Sequence, residues 1–450
     1  MSVQPQALAD HNLLVIMADQ FRADLLDGRL ARYVPTPHID ELAEQSLVLG
    51  NHHTVALPCG PARASFLTGL YPHQHGAKRN GQALHLGIPN LATELRKIGR
   101  EPLLFGYTDT QPNPEAMFAN DPAHMSMSAP MEGFTEVVEM REEAWRWLAY
   151  LREQGYDVPD ANTPEFNRLY RPKNGMLGGP ALYDAEHSDT AFLTNETIKA
   201  LDIRKAAPWS AFVTYIRPHP PFVAPAPYHE MIDPQALPQP LEPSMAHPFF
   251  DVERNYPSSK DMFWGYDGYS DGLSEDQIAK IRATYLGLVA ELDHHIGRLI
   301  SWLKSSGQYD KTIIMFTADH GEMLGDFGLW GKLAPFPQAS HIPCTLRVPD
   351  MAPNRVSHLT QSIDIFAAIL RLMGKGEHPE FSASQEARVE FELGNPSRPT
   401  RFEEAWNEPA ERLGCTVRHT ETSRVADFGG VVPPMHMDPQ TGVIKAQSDA

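Results

Sequence analysis

Cysteine is scarce. Cys59, Cys344 and Cys415 are the only three in 450 residues, an odd and sparse set that excludes a disulfide framework. Positive charge is scarce as well. The chain has 38 Lys and Arg against 57 Asp and Glu, a formal net charge of −19, which argues against a nucleic-acid or anionic-membrane surface. Long apolar runs are missing: Leu13–Ala18 is far too short to span a bilayer. Met1–Asp10 lacks a basic segment followed by an apolar run, so no signal peptide is read and a cytoplasmic location is expected. Internal repeats and low-complexity tracts are absent.

What is present is material for a large core, at 42% hydrophobic residues. The length suits one large α/β domain or two to three ordinary ones. An acidic chain that binds anions must gather Arg, Lys, His and metal locally.

The element pattern alternates. The apolar run 12–18 predicts a strand buried on both faces. Thr36-Pro37 opens a helix to Gln45, with Thr as cap and Pro in the first turn. Further helices are predicted over Asn90–Ile98, Glu139–Gln154 and Ser362–Met373, and strands over Pro102–Tyr107, Ser210–Ile216, Thr312–Ala318 and Ile342–Val348. Ser274-Glu-Asp-Gln277 is a capping box that starts a long helix running to Ser306. Its apolar residues Ile281, Tyr285, Leu288, Leu292, Ile296, Leu299 and Leu303 recur at helical spacing and read as core. Residues 110–270 are irregular, with prolines crowded between Pro208 and Pro257, and predict loops and lids over a cleft. This alternation predicts an α/β fold with a mainly parallel sheet and helices on both faces. From Lys375 the pattern weakens. Cys415–His419, Arg424–Phe428 and Val431–Met437 predict a small antiparallel sheet.

The most informative run is Leu57-Pro58-Cys59-Gly60-Pro61-Ala62-Arg63-Ala64-Ser65. Its core is Cys-x-Pro-x-Arg. Pro61 suits a first helical position, and Ala62–Leu70 reads as helix. Cys59 is therefore expected exposed at the positive end of a helix dipole, beside free backbone N–H groups that bind an anion. Two strands end in carboxylates, Asp19 followed by Gln20 and Asp319 followed by His320. Ligands bind at the carboxyl ends of strands in such sheets, so the four residues are candidates for a divalent-metal site. Each has a plain structural alternative. Free Cys is often just buried, and an Asp at a strand end commonly caps a helix or forms a turn.

The Cys59 motif resembles the signature of the sulfatase family, in the alkaline phosphatase superfamily. The resemblance implies an alkaline-phosphatase-like catalytic domain over residues 1–375 and a small C-terminal subdomain over 376–450. It implies that Cys59 is oxidised to formylglycine by a formylglycine-generating enzyme. It implies one divalent metal held by Asp19, Gln20, residue 59, Asp319 and His320. Most members have Asp-Asp and Asp-Asn at the two strand ends; Asp19-Gln20 and Asp319-His320 look like the phosphonate monoester hydrolase and related arylsulfatase branch. Imidazole and neutral amide ligands shift the preference from calcium towards manganese, iron or zinc, with manganese favoured.

The same branch supplies matches for Asn80, Tyr107, His219 and Lys332. Asp109 falls where the branch often carries Thr, so an extra carboxylate lies near the substrate. The resemblance implies hydrolysis of small anionic esters (sulfate esters, phosphonate monoesters or phosphodiesters) through a covalent intermediate on residue 59. Arg63 and Lys332 are expected to stabilise transition-state charge. His219 is the candidate general acid, because its unperturbed pKa lies nearest neutrality, with Lys332 second. Homo-oligomers are implied too. Two other readings stand beside this one: a non-catalytic metal-binding member with unmodified Cys59, and a superfamily phosphatase or transferase with a two-metal cluster. His73 and His75 read as structural or as support behind the metal ligands. Arg22 and Asp24 read equally as support for the metal ligands or as a surface ion pair.

Overall fold

The computed structural model describes residues 8–113, 115, 118, 129–141, 144–160, 169, 171–243, 272–334 and 336–374, and the backbone of five short strands beyond residue 389. In chain order the principal elements are β1 (Asn12–Asp19), α1 (Pro37–Glu44), β2 (Leu47–Leu49), α2 (Cys59–Thr68), α3 (Leu91–Lys97), β3 (Pro102–Gly106), β4 (Thr135–Glu139) and α4 (Trp145–Glu153). They continue with α5 (Asp189–Asp202), β5 (Ser210–Pro218), α6 (Glu275–Ser305), β6 (Thr312–Ala318), β7 (Cys344–Arg347), β8 (Asn354–Val356) and α7 (Asp364–Leu372).

The eight strands form one sheet in the order β8-β2-β7-β6-β1-β5-β3-β4. All pairs are parallel except those of β7, which runs antiparallel to β6 and β2. The continuous apolar character of β1 has a direct cause. Leu14, Ile16 and Ala18 pack on one face in a core shared with Ile281, Leu288, Leu292 and Ile296 of α6. Leu13, Val15 and Met17 pack on the other, with Ala64 and Phe66 of α2 and Ile365 and Ile369 of α7. A strand covered on both sides has no solvent face to make polar. The register then places the site: Ala18 pairs with Ala318, so Asp19 and Asp319 leave the sheet side by side.

Three expectations change. Residues 139–154 are not one helix; Thr135–Glu139 is the edge strand β4 and the helix starts at Trp145. Thr36 makes no side-chain cap on α1. Asp293 of α6 does that work across the core, accepting from His38 N (3.1 Å) and Ile39 N (2.8 Å). The C-terminal strands form two separate antiparallel ribbons, Thr416–His419 with Arg424–Asp427 and Met435–Met437 with Ile444–Ala446. The predicted strand ends at Cys415, Phe428 and 431–434, the domain boundary at 375/376, and the segment 244–271 lie outside the described residues. No helix among the described residues is long and apolar enough to cross a membrane.

The capping by Asp293 is testable. Asp293→Ala strands two backbone donors at the start of α1 and should cost about 1–3 kcal/mol, read as a shift in denaturation midpoint. Thr36→Ala should cost clearly less.

Candidate active site

The carboxyl edge of four adjacent parallel strands carries the site. β6 delivers Asp319 and His320, β1 delivers Asp19 and Gln20, β5 delivers His219, and β3 delivers Tyr107 and Asp109. Helix α2 brings Cys59 to them. Cys59 is its first residue, and Pro61 its third. Gly60 is needed for this approach: a Cβ there would lie 2.6 Å from Asp109 O and 2.9 Å from Asn80 Cα. Gly106 has φ 114°, and a Cβ would strike Thr214, which holds Tyr107 through its N (2.8 Å) and O (2.9 Å).

Cys59 is 2% exposed, so the expected exposed thiol is in fact buried. Its Sγ lies 3.1 Å from His320 Nε2, 3.0 Å from Lys332 Nζ and 3.8 Å from Asp19 Oδ1. Burial, and then the Asp19 charge, push the thiol well above its ordinary pKa. Arg63, one helical turn on, spans the two strand ends: Nη2 donates to Asp19 Oδ2 and Nε to Asp319 Oδ2, both at 2.9 Å. Nη2 also donates to the Tyr107 hydroxyl at 3.0 Å, and that hydroxyl donates to Asp19 Oδ2.

Burial pushes the Asp19 carboxyl up, but the cationic surroundings, among them Lys332 and Arg63, draw it well below the usual range. Burial pushes the Lys332 ammonium down, while Cys59 and Asp19 raise it further, so it stays charged. His320 Nδ1 faces Gly321 O at 3.0 Å, which leaves the Nε2 lone pair aimed at Cys59.

These groups fit a divalent cation. Ligand atoms of Asp19, Cys59, Asp319 and His320 all lie within 4.8 Å of one another, and all four residues are buried. It is the one such group among the described residues. Two carboxylates, one imidazole lone pair and one small side chain converging on one point make a mixed oxygen–nitrogen donor set. The Gln20 amide oxygen lies beside them, accepting at 2.9 Å from the same Lys332 Nζ that is 3.0 Å from Cys59 Sγ.

The remaining predicted residues surround this point. Asn80 Oδ1 accepts from Gly60 N at 2.8 Å, in the first turn of α2. Asp109 is buried and adopts φ 57°, and its charge is felt at Cys59. His219 Nδ1 lies 2.6 Å from Pro220 O, so it donates there and Nε2 carries the lone pair. Burial, then Lys332, push the His219 imidazole down to about 3. It is neutral near pH 7, the opposite of what a resting general acid requires. His75 is structural as expected, bonded to Ser65 Oγ (3.0 Å) and Ala77 N (3.1 Å).

Two residues carry more than the sequence suggested. Arg22 is buried, not a surface partner. It grips Asp24 with Nε (2.8 Å) and Nη2 (2.7 Å), Asp326 with Nη2 (3.0 Å), and Glu322 O with Nη1 (3.1 Å). Glu322 carries no motif of its own in the sequence, yet it follows Asp319-His320-Gly321 directly and borders the site. It accepts from the Gln20 side chain, Leu324 N and Gly331 N.

Comparison with known proteins fits this geometry. The sulfatase family profile matches residues 11–375. The chain belongs to the sulfatase family and is an ester hydrolase of that family. It is 34% identical over 408 residues to the multifunctional alkaline phosphatase superfamily protein PehA of Trinickia caryophylli, covering 86% of this chain and 78% of that one. It resembles the solved phosphonate monoester hydrolase SpPMH of Silicibacter pomeroyi, with TM-score 0.81, 39% identity, and 94% and 88% of the two chains covered. The phosphonate monoester hydrolase of Agrobacterium radiobacter follows at TM-score 0.78 and 31% identity, covering 90% and 83%.

Arg63 gives a direct test. Arg63→Ala leaves Asp19 and Asp319 buried without their shared counterion and should cost about 3–5 kcal/mol, visible as a large drop in the thermal midpoint of the metal-free protein. Arg63→Lys cannot span both carboxylates with one ammonium and should recover only part of it.

Proposed function

We propose that the protein is a formylglycine- and metal-dependent hydrolase of phosphonate monoesters and phosphodiesters, with sulfate esters as further substrates. The observation that carries this reading is the position of Cys59, at the first turn of α2 and within the cluster of Asp19, Asp319 and His320. The relatives' names point the same way. Oxidation of Cys59 by a formylglycine-generating enzyme supplies a hydrated aldehyde, with one hydroxyl to attack and a second to release the transferred group. A divalent cation, manganese by the donor set, supplies Lewis-acid charge there.

The rest falls to the chain's own residues. Asp19, Asp319, His320 and Gln20 provide the ligand atoms. Arg63 keeps both carboxylates ionised and aligned. Lys332 and the N-terminus of α2 offer fixed positive charge to the oxygens of the transferred group, whose transition state is loose and peripherally charged. Lys332, charged and 3.0 Å from Cys59 Sγ, is the better placed proton donor for the leaving oxygen. His219, neutral with a free Nε2 lone pair, is suited to accept a proton when the second hydroxyl releases the group.

Charge favours monoanionic groups. Asp19 and Asp319 balance Arg63 and Lys332, and the Glu322 carboxylate behind Gln20 offsets part of the charge that the cation brings. The Asp109 carboxylate lowers it further, which disfavours a dianionic phosphate monoester.

Intact-mass analysis of the peptide containing Cys59 should show sulfur and two hydrogens replaced by one oxygen. Cys59→Ala should lose turnover by several orders of magnitude in metal-loaded protein; undiminished turnover refutes the reading. Among aryl esters, phosphonate monoester and phosphodiester should be hydrolysed fastest, sulfate ester next and phosphate monoester slowest. A sulfate preference of orders of magnitude would reverse the assignment within the family.

A further inference from the structure

We propose that Glu322 is a positioning residue that fixes which end of the Gln20 amide faces the cation; this rests on the metal reading above. A glutamine amide is nearly symmetric in shape but not in chemistry, since one end accepts and the other donates. Only the oxygen end can serve as a metal ligand. Gln20 therefore needs something that tells its two ends apart.

The structure does so from both sides. Glu322 Oε2 accepts from Gln20 Nε2. Lys332 Nζ, a donor with no acceptor capacity, faces Gln20 Oε1 at 2.9 Å. Turning the amide over would set its oxygen against a carboxylate and its NH2 against an ammonium. Glu322 is itself fully buried. Its other oxygen, Oε1, is held by Leu324 N at 2.9 Å and Gly331 N at 2.7 Å, and its backbone oxygen by Arg22 Nη1 at 3.1 Å. The carboxylate is thus a fixed reference, not a mobile partner.

The Gln20 backbone is fixed as well. It adopts φ 67°, a left-handed conformation unusual for a side-chain-bearing residue. Gln20 N donates to Asp319 Oδ1 at 3.1 Å, and the Tyr285 hydroxyl donates to Gln20 O at 2.7 Å. With the backbone held at one end and the amide nitrogen at the other, the amide oxygen has one place to point.

Glu322→Gln separates this role from loop support. The introduced glutamine keeps an oxygen for Leu324 N and Gly331 N, but meets Gln20 with an NH2. Two donors then oppose each other and the Gln20 amide turns over. With Cys59 in the same chemical state in every protein, Mn2+ affinity measured by calorimetry should fall about 10- to 100-fold, while the thermal midpoint of the metal-free protein stays near wild type. Adding Gln20→Glu to Glu322→Gln restores an acceptor opposite the new NH2 and a second oxygen towards the site, and should recover most of the lost affinity. Wild-type affinity in Glu322→Gln, or no recovery in the double variant, overturns the proposal. An arm without metal keeps the two readings apart: the side-chain amide NMR signal of Gln20 should move in metal-free Glu322→Gln. An unmoved signal overturns the role of Glu322. A wild-type protein that binds no Mn2+ instead defeats the metal reading, and the amide signal alone then decides for or against Glu322.

Discussion

Two carboxylates on adjacent strands must stand close together in a dry environment, and Arg63 is what makes that tolerable. Asp19 and Asp319 leave β1 and β6 at paired positions, so the sheet forces them together. Without compensation, one of them would take up a proton. A planar guanidinium is the group that fits: Nε and Nη2 reach one carboxylate each at 2.9 Å, and the Tyr107 hydroxyl ties the same cluster to β3. Because Arg63 lies on α2, one turn beyond Cys59, the contact that steadies the carboxylates also sets where residue 59 arrives. The spacing inside Cys-x-Pro-x-Arg is, in this structure, the distance between Cys59 and the electrostatic anchor of the two carboxylates.

The parts legible from the sequence were those written locally. β1 and β6 show as unbroken apolar runs because both faces are covered, and their ends show as Asp19 and Asp319. The capping box at Ser274 is present as read, with Ser274 Oγ accepting from Gln277 N and the Gln277 side chain from Ser274 N. What failed depended on residues far apart in the chain. Thr36 has the right chemistry for a cap, yet Asp293 takes the position from 254 residues away. Among the described residues strand β4 pairs only with β3, and Thr135–Glu139 is mostly half-buried. An edge strand of that kind carries little of the apolar signature of β1.

Cys59, Asp19, Asp319 and His320, which the structure gathers into one buried cluster, could be named because motif and strand ends are sequence features. The buried state of Arg22 could not, since it follows from Asp326 and the carbonyls of 322 and 323. Nor could the protonation of His219. A histidine flanked by prolines looks like an ordinary imidazole in sequence, and its low basicity comes from its surroundings, burial first and then Lys332.

The departures Gln20 and His320 gain their meaning from this electrostatic setting. On the family pattern, Gln20 stands where most members carry a carboxylate, so one negative charge is absent from this buried cluster, and His320 stands where they carry an amide. A neutral ligand costs less to bury than a charged one, but it loses the directional certainty of a carboxylate, whose two oxygens are equivalent. An imidazole must have its lone pair turned inward, and an amide its oxygen. The structure supplies both orientations through neighbours: Gly321 O takes the outer nitrogen of His320, and Glu322 takes the nitrogen of Gln20. Both neighbours belong to the turn that follows Asp319. That turn is tied to the loop after β1 by Arg22, through Asp24, Asp326 and two backbone carbonyls. With an amide and an imidazole standing beside Asp19 and Asp319, the demand for precision passes from these side chains to the loops behind them, and the buried network around Arg22 is where that demand is met.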